Sequence, residues 1–347
     1  LNVCEKSQPT AQTDAPSDGL ERVTKIRIRR RKPGNRLDKY LRARFPRMSR
    51  TVLQRLIKEG GVTVNGLPTK ASYEPAKGDV VEVHIPPPEP TDVVPEDIPL
   101  DVIYEDDYLL AINKRTGIIC HPARPSQTGT IVNGLVHYAN RLSQVDPFRP
   151  GIVHRLDKNT TGVMLVAKSD EAHWRLSLQF ERRTIQKTYL ALVEGELKLD
   201  GDIIDQPLME HPLIKDRYVP AQRPSNHMIA KKAVTQYEVE ERFTGFTLVK
   251  LYPKTGRTHQ LRVHMSNLGH PIIGDTHYGG HLLSERDIAG SGSTDPLYQH
   301  QCLHAWRIEF MHPIRETTTL IEAPVPSDMQ HVIDLLREHR RPQRGRR

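Results

Sequence analysis

The chain has 347 residues, a net charge of +8 and a sequence pI of about 9.3, a balance that suits a phosphate-rich partner and enough length for two domains. No apolar run approaches the ~20 residues needed to cross a bilayer, and the amino terminus lacks the positive-then-apolar order of a secretory signal. Cys4, Cys120 and Cys302 are too few and too scattered for a disulfide framework or a cysteine-rich zinc site, so a soluble, cytoplasmic monomer is expected.

Residues 1–24 are rich in Ser, Thr, Gln, Pro and Asp and have little to bury, which predicts a disordered tail. Between Lys25 and Lys58 the chain carries fourteen Lys or Arg residues against one acid, Asp38. Within that stretch LDKYLRARF sets Leu37, Tyr40 and Leu41 on one helical stripe. SRTVLQRLIKEGG offers Ser49 as N-cap, Val52, Leu53, Leu56 and Ile57 as a buried face, and Gly60 as a stop. Arg50, Gln54, Arg55 and Lys58 are left for the outer side. VTVNG reads as a strand and tight turn, and GDVVEVHI as another strand. Two helices and a small sheet over residues 35–85 make a compact α/β module with a basic face, either an ordinary solvated surface or an RNA contact; the local charge favours RNA, through Lys39, Arg50, Arg55 and Lys58.

The proline-rich run over 86–97 reads as a semi-rigid linker. Beyond it, over 98–325, strand patterns dominate: LDVIYED and YLLAINK around an Asp106, Asp107 turn, then VMLVAK, TYLALVEG, AVTQYEVEE, FTLVKLYP and WRIEF. Helical patterns are fewer: TIVNGLVHYANRL, the stretch after Ser169, and the one carrying Leu261, Met265 and Leu268. The expected fold is α+β, a mixed, largely antiparallel sheet with helices against it, closed by a helix and basic tail over 326–347. The segments 203–232 and 280–296 show little periodicity and read as surface loops around a site or as unordered insertions.

Several chemistries lack their signals: there is no GxxxxGK[ST], no GxGxxG after a strand, no GxSxG and no HExxH. His259, His264, His270 and His277 fall at intervals that match no compact zinc spacing, so no metal is expected. What remains is a constellation in three segments. GIVHRLDKNTTG places Asp157 between Arg155 and Lys158, where opposite charge favours an ionised carboxylate fit for a nucleophile. QKTYLALVEG presents Tyr189 on a strand face, either as a core residue or as a platform for a flat base. KTGRTHQLRVHMSNLGHPIIGDTHYG gathers Arg257, His259, Gln260 and Arg262, arginines able to pair with Asp157 and with phosphate. A glycosidase would need a second carboxylate; Asp275 is available, although its turn-like GDTHYG setting suggests local backbone capping.

These three segments, followed by QCLHAWRIEFMHP, resemble the successive motifs of the RluA-type pseudouridine synthases over about residues 98–325. Residues 35–85 resemble the S4-type RNA-binding domain, named after a small-subunit ribosomal protein. The resemblance implies an isomerase that breaks the glycosidic bond of a uridine in RNA, turns the uracil in place and rejoins its carbon 5 to the ribose, with no cofactor. On that basis Asp157 corresponds to the nucleophile, and Tyr189 to the tyrosine that stacks on the flipped base. Arg262 matches the basic partner of the aspartate and Leu261 its apolar neighbour, while His154 and Arg155 lie where the family positions the flipped nucleotide. The S4-type module makes large-subunit ribosomal RNA or a pre-ribosomal particle the expected partner. A transfer RNA or messenger RNA target, a catalytically silent RNA-binding or ribosome-assembly factor, and an RNA glycosylase are the alternatives. Arg115 stands where the family usually carries proline, a departure outside the three motifs.

Overall fold

A computed structural model describes residues 22–30, 34–45, 48, 50–85, 93–121, 128–221 and 230–341. The chain divides into two compact units, Leu1–Pro90 and Thr91–Arg347. Among the described residues no helix is long and apolar enough to cross a membrane, and no cluster of His, Cys, Asp and Glu is grouped to hold a metal.

The first unit comprises β1 (Arg22–Arg27), α1 (Leu37–Arg44), α2 (Arg50–Lys58), β2 (Val62–Val64), β3 (Leu67–Pro68) and β4 (Val80–Ile85). Its antiparallel sheet runs β1-β4-β2-β3. Leu37, Leu41, Leu53, Leu56 and Ile57 pack against Val62, Val64, Val81 and Val83 of that sheet. The turn from β2 to β3 puts Asn65 and Gly66 at φ of 53° and 78°, the left-handed pair that a tight hairpin requires. The tail expected over residues 1–24 is corrected at its end. Residues 22–24 already belong to β1, because Ile26 and Ile28, two apart, turn one edge of the RVTKIRIRR run into the core. The rest of that tail, the Ser49 cap and the end of the basic tail lie outside the described residues.

Asp38, the lone acid of the basic stretch, is fully buried and accepts from Arg36 (3.2 Å), Arg50 (2.8 and 3.0 Å) and Gln54 (2.5 Å). Arg50 and Gln54 therefore do not simply face outward: each ties α2 to α1. Of the expected RNA contacts, Lys39, Arg55 and Lys58 are exposed, whereas the half-exposed Arg50 is committed to Asp38. Burial pulls the Asp38 carboxyl up, but the hydrogen bonds of Arg50, Gln54 and Arg36 outweigh it and hold it down at about 2. Folded-state depression means stability that is complete above the ordinary value of 3.8 and lost as pH falls toward 2, about 2 kcal/mol in all. Asp38→Asn should lower the stability of this unit by about that amount at pH 7 and by progressively less as pH falls through about 2, read from hydrogen exchange of α1 amides. Equal protection of both proteins at pH 7 would refute the ionic clamp.

The second unit takes up β5 (Val102–Glu105), β6 (Leu109–Lys114), α3 (Ile131–Tyr138), β7 (Thr161–Ala167), α4 (Asp170–Arg182), β8 (Gln186–Glu194) and β9 (Gly201–Asp205). It continues through β10 (Leu208–Glu210), β11 (Tyr218–Pro220), β12 (Val234–Phe243), β13 (Phe246–Pro253) and α5 (Gln260–Asn267). It ends with α6 (Glu285–Ala289), β14 (Leu303–Met311), β15 (Thr318–Glu322) and α7 (Ser327–His339). The main sheet runs β5-β6-β7-β14-β8-β13-β12-β9, with β15 also paired to β14. All of its strand pairings are antiparallel except β7 with β14, where Thr161 and Gly162 meet His304 and Ala305. Only glycine fits that joint: a Cβ on Gly162 would lie 2.2 Å from the Ala305 carbonyl oxygen.

Local chemistry explains the elements. Asp106 accepts from the main chain of Tyr108 (2.8 Å) and Leu109 (2.9 Å), closing the β5–β6 turn, and Ser169 accepts from Ala172 as N-cap of α4. The fold is α+β as expected, with corrections in the segments that lacked periodicity. Within 203–232 the chain forms the end of β9 and a β10–β11 hairpin, with 222–229 outside the described residues, and 280–296 contains α6. Residues 93–97, placed in the linker, lie along α3: Asn133 donates to the Val94 carbonyl at 2.8 Å and Val93 is buried.

Candidate active site

Asp157 sits in an irregular segment just before β7, and both of its flanks are anchored through the main chain. On one side the Cys120 thiol donates to the Leu156 carbonyl (3.2 Å) and accepts from the Leu156 N–H (3.3 Å). On the other, Lys114 at the end of β6 is buried and donates to the carbonyls of Arg115 (2.9 Å), Lys158 (2.8 Å) and Thr160 (2.9 Å). Those three bonds use every N–H of an ammonium. Burial lowers the Lys114 pKa to about 8, against the opposing fields of Cys120 and Asp157. Lys114 is not legible as a site residue in the sequence, because nothing in INKRTG reveals that its acceptors are carbonyls 44 and 46 residues away.

His154 is differently employed from what the resemblance suggested. Its Nε2 accepts the Leu165 N–H at 2.8 Å and its ring stacks on Phe180, with centroids 4.6 Å apart. Burial, reinforced by the charge of Lys187, pushes its pKa down to about 3, so the ring is neutral. Its acceptor nitrogen belongs to β7 and not to a nucleotide. Arg155 is exposed at the edge of the same cleft.

Tyr189 lies on β8 opposite Leu251 of β13 and Ala305 of β14, half-buried with its neighbours packed around it. Burial first, then the fields of Asp157 and Cys120, raise its pKa, so the group is a neutral phenol at physiological pH. Leu261 and Arg262 follow at the start of α5, whose N-cap His259 adopts a left-handed φ of 55°. Such a conformation costs a non-glycine residue on the order of 1 kcal/mol and aims the segment into the cleft.

Arg262 joins two carboxylates. Its Nε and Nη2 donate to both oxygens of Asp275 at 2.6 and 2.8 Å, while Nη1 stands 3.6 Å from Asp157 Oδ2. The guanidinium also lies over the Tyr278 ring at 4.9 Å. The capping role expected of Asp275 is thereby corrected: its side chain caps no backbone and is buried against Arg262. A fork-to-fork pair thirteen residues apart leaves no mark in the local GDTHYG pattern. The consequence is a division of labour. Asp275 fixes the guanidinium bidentately, whereas Asp157 receives its charge without a close hydrogen bond and keeps part of its side chain open to the cleft.

Asp157, Tyr189, Leu261, Arg262, His154 and Arg155 all line one cleft of about 740 Å³, together with Lys187, Lys254, Arg257 and His259. Its walls combine aromatic rings, the carboxylates of Asp157 and Glu181 and several cations, a composition that can receive a flat base on an anionic backbone. His259 is held by Tyr278. The Tyr278 hydroxyl accepts the Tyr218 N–H at 3.0 Å and shares a hydrogen bond with His259 Nδ1 at 2.8 Å. Burial keeps that imidazole below its ordinary pKa, with Arg262 and His277 acting in the same sense and Asp157 against them.

Comparison with known proteins agrees with this architecture. Residues 108–267 match the model of the RNA pseudouridylate synthase family, and residues 35–81 match the S4 domain. The chain is 40% identical over 311 residues to ribosomal large subunit pseudouridine synthase D of Xylella fastidiosa, covering 88% of this chain and 90% of the relative. It is 41% identical over 305 residues to the uncharacterized RNA pseudouridine synthase YlyB of Bacillus subtilis, covering 88% and 95%. Among solved structures, human RNA pseudouridylate synthase domain containing 4 superposes with a TM-score of 0.53 at 27% identity, over 68% of this chain and 93% of that one. Likeness that spans the S4 domain, the sheet and the cleft-bearing segments together leaves one reading: the chain belongs to the RNA pseudouridylate synthase family.

Proposed function

We propose that this synthase converts uridine to pseudouridine in large-subunit ribosomal RNA, with Asp157 as the nucleophile. The observation that carries the assignment is the accessible Asp157 carboxylate, 3.6 Å from Arg262 Nη1 in the cleft that also holds Tyr189. A uridine pulled from its stack costs a few kcal/mol, which stacking on the Tyr189 ring and cationic contacts offset. Asp157 then assists cleavage of the bond between N1 and C1′. The uracil turns, C5 bonds to C1′, the C5 proton leaves and N1 gains one, so the RNA keeps its mass. Tyr189 takes part as a neutral phenol, offering a ring face and a hydroxyl. The ribosomal target draws support from the names of relatives such as the Xylella fastidiosa synthase and from the S4 domain. Lys39, Arg55 and Lys58 supply phosphate contacts that raise affinity without touching the reaction.

Pseudouridine mapping of cellular RNA with and without the protein tests the proposal. The expected result is loss of pseudouridine at one or a few large-subunit positions. Losses confined to transfer or messenger RNA would overturn the ribosomal assignment, and no loss at all would favour a binding-only protein.

A further inference from the structure

Among the described residues of the cleft, one half-buried cation, Lys187, makes no hydrogen bond or ion pair. Lys187 stands on β8 two residues before Tyr189, so both side chains leave the same face of the strand, about 6.6 Å apart along it. Both line the cleft. The charge of Lys187 is felt by His154, yet that ring cannot serve as its acceptor, because Nε2 is already occupied by the Leu165 N–H. The opposite wall is bare main chain: a Cβ built on Gly256 would lie 3.9 Å from the lysine Nζ.

Other sequestered cations of this unit are matched, Lys114 by three carbonyls and Arg262 by Asp275 and Asp157. For Lys187 burial alone depresses the pKa; no carboxylate acts on it. A half-buried ammonium without a partner is costly, and the cost is relieved by an anion arriving from the open side of the cleft. The neutral edge of a base cannot supply that charge. A backbone phosphate can, and a phosphate lies one sugar away from any base resting on Tyr189.

We propose that Lys187 is the seat of a backbone phosphate adjoining the target uridine, so that β8 grips one nucleotide at two points, base on Tyr189 and phosphate on Lys187. The assignment rests on the uridine reading of the cleft. It makes Lys187 a substrate contact that sets the register of the RNA strand and takes no part in bond breaking.

The test is a chemical double-mutant cycle on a short RNA centred on the uridine located by mapping, made with a single uncharged methylphosphonate linkage at either its 5′ or its 3′ phosphate. With ordinary RNA, Lys187→Gln should weaken binding about tenfold or more, and the slope of log affinity against log salt should fall by about 0.7. With the matching neutral linkage, the same substitution should cost nothing further, and Lys187→Arg should retain the ordinary salt slope. Losses that multiply at both linkages, or an unchanged slope, would overturn the assignment. Should Lys187→Gln fold poorly, the full-length wild type still decides: no loss of affinity at either neutral linkage sinks the idea. Binding and conversion are read separately. Non-additivity without any pseudouridine would sink the isomerase reading alone, and additive losses with conversion intact would sink the lysine assignment alone.

Discussion

Asp157→Ala should abolish pseudouridine formation, by roughly 10⁴-fold or more, while RNA affinity stays level or rises slightly. The first half follows from the absence of a substitute: the other carboxylate on Arg262, Asp275, is buried and bound at both oxygens. The second half follows from charge, because removing a carboxylate from a cleft that receives an anionic backbone relieves repulsion. The fold should hold as well. Asp157 meets Arg262 only at 3.6 Å, and the loop is fastened through the carbonyls that Lys114 and Cys120 grip. Single-turnover conversion, RNA binding and melting of the same variant check all three. Retained conversion would remove Asp157 from the chemistry, and lost binding would recast it as a structural residue.

Arg262→Met should damage both stability and turnover, and the two losses should separate in a second variant. Cutting away the guanidinium leaves Asp275 buried without a partner, a change that costs about 3–5 kcal/mol and lowers the melting temperature on the order of 10 °C. Replacing the pair together, as Arg262→Met with Asp275→Leu, should recover most of that stability, since apolar groups of similar volume are tolerated where an ion pair stood. Turnover should not return, because Asp157 would still lack the cation beside it. Recovery of activity in the double variant would show that Arg262 acts only by holding Asp275. Arg262→Lys should be an intermediate case: charge is kept, but the two-pronged bond to Asp275 is lost.

Much of the second unit was legible because its signals are local. The alternation in YLLAINK and FTLVKLYP marks strands, Ser169 marks a helix start, and Asp106 marks a turn it closes with its own side chain. The same holds for the helices of the first unit, whose apolar stripes become its core. What escaped the sequence was fixed by distant partners. Arg50 reads as an RNA contact because its neighbours are basic, whereas the group that captures it is Asp38, one helix away. Asp275 read as a turn residue because its real partner lies on another element. The β1 strand was obscured by the polar tail in front of it, although Ile26 and Ile28 already carried the period of two. For the site itself, motif resemblance named Asp157, Tyr189 and Arg262. The three-dimensional arrangement added Lys114 and Lys187, and gave His259, already in the third segment, its bond to Tyr278, surroundings that no spacing rule describes.

The parallel seam between β7 and β14 joins the two halves of the main sheet. Asp157 arrives on the side of the sheet built from β5, β6 and β7, while Tyr189 and Arg262 arrive on the side built from β8, β12 and β13 with α5. The two sides are stitched at Thr161–His304 and Gly162–Ala305, and the Thr161 hydroxyl meets His304 Nδ1 at 2.8 Å in the same place. Asp157 and Arg262 are thus brought together from the two sides of this seam, the first on a loop held by Lys114 and Cys120, the second by its fork to Asp275. A chain built this way can vary its rim to suit different RNAs while the seam in the sheet stays the same.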